Sequence, residues 1–323
     1  MEKAVMTIGV DLGGTKIETS LVDDAGNIIA SHRSLTNSEK GSEGVIAGIV
    51  DCVNTCLDKT DESPQALGIG MAGQIEKNTG LVHFAPNLGW HDVPLREKLE
   101  EQLGLPVTVT NDVRAAAYGE WLYGAGQGTS DLACIFVGTG IGGGIVSGGR
   151  LLEGNTNSGG ELGHITVVSG GRQCHCRNKG CMEAYAGGWA IAERAREAVE
   201  NEPEAGELLI ELAGGIEMIT AVTVTEAYHG GDYLAGRIVE ETVEYLASGI
   251  VGIVNAFNPR LVILGGGVIQ GMPEYVSIVD PLVRFNALEA ALDDFKIVMA
   301  ALGNKAGVIG AAALARDAFL NRE

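Results

Sequence analysis

The sequence predicts an α/β protein made of two domains, and three observations carry that expectation. At 323 residues the chain exceeds what one hydrophobic core usually organises. Short apolar strands alternate with amphipathic helices along its length. A strand, Gly-rich turn, strand unit also occurs twice, over residues 7–17 and again over DLACIFVGTGIGGGIV at 131–146. Laid over one another, Ile135 falls on Ile8, Val137 on Val10, Gly140 on Gly13 and Ile145 near Ile17. A duplication of this kind would set two phosphate-sized hairpins across a cleft, one from each half.

In chain order, Val5 to Val10 reads as a short buried strand, followed by Asp11-Leu12-Gly13-Gly14-Thr15-Lys16. Ile17, Thr19 and Leu21 then alternate with polar residues, and period two after the glycines predicts a hairpin. A Walker loop or a dinucleotide fingerprint would instead need a helix directly after the turn. The N–H groups of this turn can face a phosphate, with Thr15 and Lys16 near it and Asp11 able to reach a metal-bound water. A hairpin without a ligand is the plainer alternative. The turn Asp23-Asp24-Ala25-Gly26-Asn27 closes a second hairpin onto Ile28 and Ile29, and Val45, Ile49, Val50, Val53, Cys56 and Leu57 mark one face of a helix.

A strand from Ala66 to Gly70 leads into a glycine-bearing loop at Met71-Ala72-Gly73-Gln74, at a strand end where ligands tend to sit. Leu81 to Ala85 runs into the irregular Pro86-Asn87-Leu88-Gly89-Trp90, and Asp92 is expected to cap a helix through Leu103. Val107 to Thr110 is the next strand, ending at Asn111-Asp112 before an alanine-rich helix from Val113 to Trp121. On the residues alone, Asp112 reads as the N-cap of that helix.

After residue 181 the chain is mainly helical: Met182 to about Glu200, Glu207 to Leu212, Thr225 to His229, and a long helix from about Asp232 to Phe257 stopped by Pro259. Leu261 to Leu264 is a strand opening into Gly265-Gly266-Gly267, where a planar base could approach bare backbone or the chain could simply turn into a helix. A strand from Ile297 to Ala301 and a helix from Ala306 to Leu320 close the chain.

Composition excludes several classes of function. With 42 acidic and 22 basic residues the net charge is −20, and the Lys and Arg residues form no stripe, which argues against nucleic acid as a partner. A phosphate ligand must then be held by backbone N–H groups and a divalent cation, a demand that 48 glycines suit. No apolar run reaches the roughly 18 residues of a membrane span, so no membrane association is expected. MEKAVMTIGVD lacks a signal-peptide pattern, and the cysteine usage fits a reducing compartment, so a cytoplasmic location is expected.

The densest stretch is ELGHITVVSGGRQCHCRNKGCME at 161–183. Cys174, Cys176 and Cys181 form a C-x-C-x4-C cluster, and His164 stands ten residues upstream across a turn at Gly170 and Gly171. This set can close a Cys3His shell, which suits zinc in a four-coordinate structural site. Core cysteines or a disulfide are the alternative, and the neighbouring Arg, Asn, Lys and Gly residues disfavour it. Closing the loop would fix Glu161 and Glu183 relative to one another, unless both are simply surface carboxylates.

These motifs together resemble the ROK group (repressors, open reading frames, kinases) within the actin-like ATPase superfamily. The resemblance rests on DLGGTK at 11–16, PNLGW at 86–90, ND at 111–112, GTGIGGG at 138–144, ELGH at 161–164, the cysteine run ending at Glu183, and LGGG at 264–267. It covers nearly the whole chain. It implies two ribonuclease-H-like (actin/hexokinase-like) domains around a central cleft: residues 1–115 plus 307–323, with the final helix returning, and 116–306 carrying the zinc loop. It also implies an ATP-dependent hexokinase acting on O6 of a sugar, most similar in pattern to glucokinases. N-acetylmannosamine, N-acetylglucosamine or mannose are the alternative acceptors.

In that picture Asp112 becomes the general base, displacing the cap reading. Asn111, Glu161, His164 and Glu183, with Gly73 and Asn87, form the sugar shell. Asp11, Gly13, Gly14, Thr15, Lys16, Gly138, Thr139, Gly140, Gly142, Gly265, Gly266 and Gly267 serve ATP and Mg2+. His164 would offer one ring edge to zinc and the other to the sugar. The resemblance further implies a homodimer or homotetramer. The family also contains sugar-responsive repressors, but about ten residues precede the first phosphate motif, too few for a helix-turn-helix. One departure stands out: relatives often have Gly after the second Cys, where this chain has Arg177, which bears on the loop's conformation.

Overall fold

The computed structural model describes residues 5–321. The first stretch runs β1 Thr7–Leu12, β2 Lys16–Val22, β3 Ile28–Leu35, α1 Gly41–Leu57, β4 Ala66–Met71, β5 Gln74–Ile75, β6 Val82–Ala85, β7 Trp90–Val93, α2 Leu95–Leu103, β8 Val107–Asn111 and α3 Asp112–Tyr123. There follow β9 Leu132–Val137, β10 Ile141–Ser147, β11 Arg150–Leu151, α4 Glu183–Ala186, α5 Gly188–Asn201, α6 Glu207–Ala213, α7 Ala221–His229 and α8 Tyr233–Phe257. β12 Leu261–Gly265, α9 Gly267–Gly271, α10 Glu274–Asn286, β13 Lys296–Met299 and α11 Ala306–Leu320 complete the order.

The chain divides into two compact units. The first runs through Gly128 and adds Leu151–Gly160 and the segment from Ala301 onward; the second holds Thr129–Arg150 and Glu161–Ala300. Each has a five-stranded sheet, ordered β3-β2-β1-β4-β8 in the first and β11-β10-β9-β12-β13 in the second. In both, an antiparallel hairpin opens the sheet and parallel strands extend it: β1 pairs with β2 and then β4, β9 with β10 and then β12. This repeated order is the expected pair of ribonuclease-H-like sheets.

Period two along β1 explains how the first unit is layered. Ile8 and Val10 face the core that Val45, Ile46, Ile49 and Val53 of α1 complete, and Gly9 between them faces the other way, onto α11. That contact is backbone to backbone. A Cβ on Gly9 would lie 1.8 Å from the Val308 carbonyl oxygen, one on Gly68 of β4 1.9 Å from that of Ala311, and one on Gly310 1.6 Å from that of Ala115 in α3. Glycine is required at these crossings because any side chain would push α11 off the sheet.

A carboxylate pins the same helix's approach. Glu120 of α3 has no exposed surface and accepts N–H bonds from Ala125 (3.0 Å), Ala301 (3.0 Å) and Leu302 (2.7 Å). A buried carboxylate is stable when its oxygens are filled in this way. Shortly after Leu302 in chain order, Lys305 pairs with the buried Glu18 of β2, which Arg33 also meets. Burial alone would raise the Glu18 carboxyl, and these two cations hold it below the usual range.

Several expectations change. Asp92 caps nothing: it lies in β7 with a left-handed φ of 48° and bonds His83, while α2 begins after Pro94 because Trp90 and Val93 are buried as strand residues against β6. The helix expected from Met182 breaks into α4 and α5 at Gly187, whose extended backbone lets the Gly188 N–H reach the Gly138 carbonyl. α10, absent from the sequence-based expectation, has Pro281 in its interior. The units also differ from the expected division at 115/116 and 306/307, since the rest of α3, residues 151–160 and 301–306 group with the first unit. α3 joins it by packing on α11, 301–306 through the Glu120 bonds, and 151–160 through the hold of Arg114 on the Asn157 and Gly159 carbonyls.

Candidate active site

In the first unit β1, β4 and β8 run parallel, so their C-terminal ends lie side by side. Asp11 is at the end of β1 and Asn111 at that of β8. The Asn111 side chain caps α3 by accepting the Arg114 N–H at 3.0 Å. The cap position is therefore taken, and Asp112 is the first residue inside the helix. Its Oδ1 accepts the Val113 N–H at 2.9 Å. Room for it comes from Gly70, where a Cβ would lie 3.3 Å from the Asp112 Cα. Burial pushes the Asp112 carboxyl above the usual range. The Asp11 carboxyl rises to about 6, first through burial and then through the negative charges of Asp112 and Glu18, against the opposing pull of Lys16 and Arg33.

The turn after β1 is closed by Gly13 N–H on the Lys16 carbonyl (3.0 Å), Thr36 N–H on the Thr15 carbonyl (2.9 Å) and the Thr36 hydroxyl on the Gly13 carbonyl (2.7 Å). The N–H groups of Gly14 and Thr15 have no protein acceptor among the described residues. Asn87 leans on this turn, its carbonyl 3.2 Å from where a Cβ on Gly14 would stand. Gly73 packs against β6, with the Phe84 carbonyl 2.7 Å from a Cβ there.

In the second unit the turn after β9 is closed by a different set of bonds. Gly138 N–H reaches the Gly140 carbonyl (2.9 Å), and the carbonyls of Gly138 and Thr139 accept from Gly188 and Trp189 (both 2.9 Å) at the start of α5. Among the described residues, the Thr139 and Gly140 N–H groups are again left without a protein acceptor. Gly142 lies beyond the turn, in β10 opposite Phe136. Gly265 and Gly266 are bare for packing reasons, since the Phe136 ring and the Val137 backbone occupy the space a Cβ would need, whereas Gly267 opens onto free space.

The turn Leu162–His164 rests on β10, where a Cβ on Gly163 would lie 2.1 Å from the Ile141 carbonyl. This puts exposed Glu161 and half-buried His164 beside the hairpin. His164, Cys174, Cys176 and Cys181 each direct one donor atom into a common point, all within 4.8 Å of one another. His164 Nδ1 is 3.7 Å from Cys174 Sγ, and Cys176 Sγ is 3.6 Å from Cys181 Sγ. Burial pushes the Cys174 thiol up to about 12 and raises Cys181 as well. Glu183 stands next to them: Oε1 is 3.7 Å from Cys174 Sγ, and Oε2 accepts the Ile141 N–H at 2.9 Å.

Each unit thus gathers its own share of the expected residues. One residue escaped sequence reasoning: Arg114, two positions after Asp112, is buried and holds Asn157 by side chain and carbonyl (2.8 Å) and the Gly159 carbonyl (3.1 Å). Its signal was a lone cation in an alanine-rich helix.

Twin sheets of this order, each with a donor-bearing glycine turn at its first strand, define the actin-like class of phosphate-handling proteins. Within that class the chain belongs to the ROK family, whose model matches residues 7–318. It is 36% identical to a glucokinase of Streptomyces coelicolor over 97% of this chain and 98% of the relative. It is 38% identical to a glucokinase of Halalkalibacterium halodurans over 94% and 92%. A crystal structure of a ROK glucokinase from Streptomyces griseus with glucose and AMPPNP superimposes with a TM-score of 0.82 at 37% identity, covering 97% of this chain and 99% of that one.

Proposed function

We propose that the chain is an ATP-dependent hexokinase that phosphorylates glucose at O6, with Asp112 as general base. The observation that carries this is a desolvated carboxylate at the end of β8 whose helix-capping duty has passed to Asn111. Relatives that are glucokinases over nearly their full length support the same activity.

Phosphoryl transfer needs alignment and charge neutralisation more than covalent help. Val113 N–H occupies Asp112 Oδ1, so Oδ2 is the oxygen left to accept the proton of the sugar hydroxyl. The two turns supply N–H donors to phosphate oxygens from Gly14, Thr15, Thr139 and Gly140, with Lys16 adding a positive charge. Mg2+, when bound with ATP, neutralises phosphate charge. Asp11 suits the water shell of such a cation, because its carboxyl and that of Asp112 repel one another. Asn111 Nδ2, Asn87, Glu161, His164 and Glu183 offer polar groups for sugar hydroxyls, and Gly73 gives close approach to backbone.

The Cys3His cluster fits zinc. Zn–S bonds of about 2.3 Å in a tetrahedron place sulfurs about 3.7 Å apart; Cys176 and Cys181 Sγ are 3.6 Å apart, and all four ligand atoms lie within 4.8 Å of one another. Zinc would stabilise thiolates that burial otherwise disfavours, with all four positions filled by protein. Elemental analysis of protein purified without added metal should give one zinc per chain; under about half an equivalent would remove the zinc from this reading.

A coupled ADP-release assay over glucose, mannose, N-acetylglucosamine and N-acetylmannosamine tests the activity. Glucose should have the highest kcat/KM. A higher value for an N-acetylated sugar would reassign the acceptor, and no turnover with any hexose would end the kinase proposal. Light scattering tests the homodimer or homotetramer carried over from the resemblance.

A further inference from the structure

Glu183 spends its two carboxylate oxygens on different neighbours. Oε1 faces Cys174 Sγ of the cysteine loop at 3.7 Å, and Oε2 accepts the Ile141 N–H at 2.9 Å, at the first residue after the Gly138–Gly140 turn. The fit is close: a Cβ on Gly140 would stand 2.5 Å from Oε2. The next residues in chain order bind the same turn from behind, through Gly188 N–H on the Gly138 carbonyl and Trp189 N–H on that of Thr139, both at 2.9 Å. Every polar backbone group around the turn except the Thr139 and Gly140 N–H pair therefore has a fixed partner within residues 138–141 or 183–189.

We infer that Glu183 is a positioning residue for the nucleotide turn, so that one carboxylate couples sugar binding to ATP binding. An N–H held by a carboxylate is a charge-assisted bond, stronger and shorter than a neutral one. It fixes the plane of the peptide joining Gly140 to Ile141, while Trp189, through the Thr139 carbonyl, holds the preceding peptide that carries the Gly140 N–H, so the turn is clamped from both sides. A sugar hydroxyl that engages the same carboxylate would change how firmly Oε2 holds Ile141. The two ligands would then influence one another's affinity, and by linkage equally in both directions. The inference rests on the kinase reading above for the identity of both ligands, while the hydrogen bonds that carry it do not.

The test is titration of the protein with a fluorescent ATP analogue and Mg2+, without sugar. Glu183→Ala removes the acceptor and should weaken nucleotide binding about fivefold to tenfold, the scale of one buried hydrogen bond. Glu183→Gln keeps an oxygen for the Ile141 N–H and should stay within about twofold of the parent, while both variants lose glucose affinity. Thermal melting and zinc content of each variant identify any loss of fold. Should Glu183→Ala bind the nucleotide like the parent, or Glu183→Gln be as weak as Ala, the positioning role is wrong.

Gly140→Ala supplies the reverse measurement: its methyl displaces the Glu183 carboxylate with residue 183 intact, so glucose KM should rise along with the nucleotide defect. An unchanged glucose KM would overturn the coupling. If the parent itself fails to bind the nucleotide, the kinase reading fails and this inference falls with it, an outcome distinct from a variant that matches a competent parent.

Discussion

The two sheets follow one strand order and carry similar turns at the end of their first strands, yet they are equipped differently. Overlaid by sequence, Gly138 of the second half stands where the first half has Asp11. The first half keeps its acids on strand ends, Asp11 on β1 and Asp112 just past β8, and closes its turn with Thr36 from β3's far end. The second half has no acid on those strand ends. Its turn is held instead by Glu183 and the start of α5, which also border the cysteine cluster. Both halves therefore leave two turn N–H groups without a protein acceptor among the described residues, at positions the overlay does not match, and only the first sets carboxylates at its strand ends.

The largest effect that would test this division is on Asp112. Asp112→Asn should lower kcat by roughly 10²- to 10⁴-fold with glucose and ATP binding nearly intact. Melting should stay near that of the parent, because Asn111 holds the cap. Near-normal turnover would deprive the first half of its proposed chemistry. In the second half, Cys176→Ala should abolish zinc binding and raise glucose KM by about 10-fold or more, since Glu183 and His164 lose their frame. A KM unchanged in zinc-free protein would separate the cluster from the sugar.

Packing gives the next effect. Gly68→Ala places a methyl against the Ala311 carbonyl and should cost about 2–3 kcal/mol of stability, measured by denaturant unfolding. The pH profile is a finer probe. Burial raises the Asp112 carboxyl, so it takes up a proton at higher pH than an exposed Asp, and the base is lost as pH falls through that raised value. The acid limb of kcat/KM should therefore have its midpoint above the ordinary value of about 3.9. A midpoint at or below it would argue against a desolvated base.

The smallest expected change is at Arg177, whose φ of 76° is left-handed. This is backbone that glycine adopts freely, which fits the glycine that the family resemblance implies at this position. Arg177→Gly should relieve strain and gain about 0.5–1 kcal/mol, offset in part by glycine's greater freedom when unfolded.

What could be read from the sequence was local. The cysteine spacing and the glycine turns declare their geometry within a few residues, whereas in the Asn-Asp pair the residues alone made Asp112 the cap that Asn111 supplies. Less legible were features whose partners are distant. Glu120 looks like any helical glutamate until Ala301 and Leu302 arrive 181 and 182 positions later. Arg114 gives no hint of Asn157. Pro281 disguised α10, because a proline that removes one helical N–H reads locally as a break. Asp92 misled for the opposite reason: it has the chemistry of a cap, but Trp90 and Val93 are needed in a strand.

Chain order gives the packing of α11 a consequence for biosynthesis. Gly9 and Gly68 leave a bare strip on the first sheet that α11 covers, and Glu120 takes its last two N–H partners from residues 301 and 302. The ribosome makes all of 161–300 before residues 301 and 302 or α11 exist. The second unit can close as soon as residue 300 has emerged, whereas the first, although begun earliest, has its sheet uncovered until α11 has been made. This reverses the usual order in which the N-terminal unit completes first.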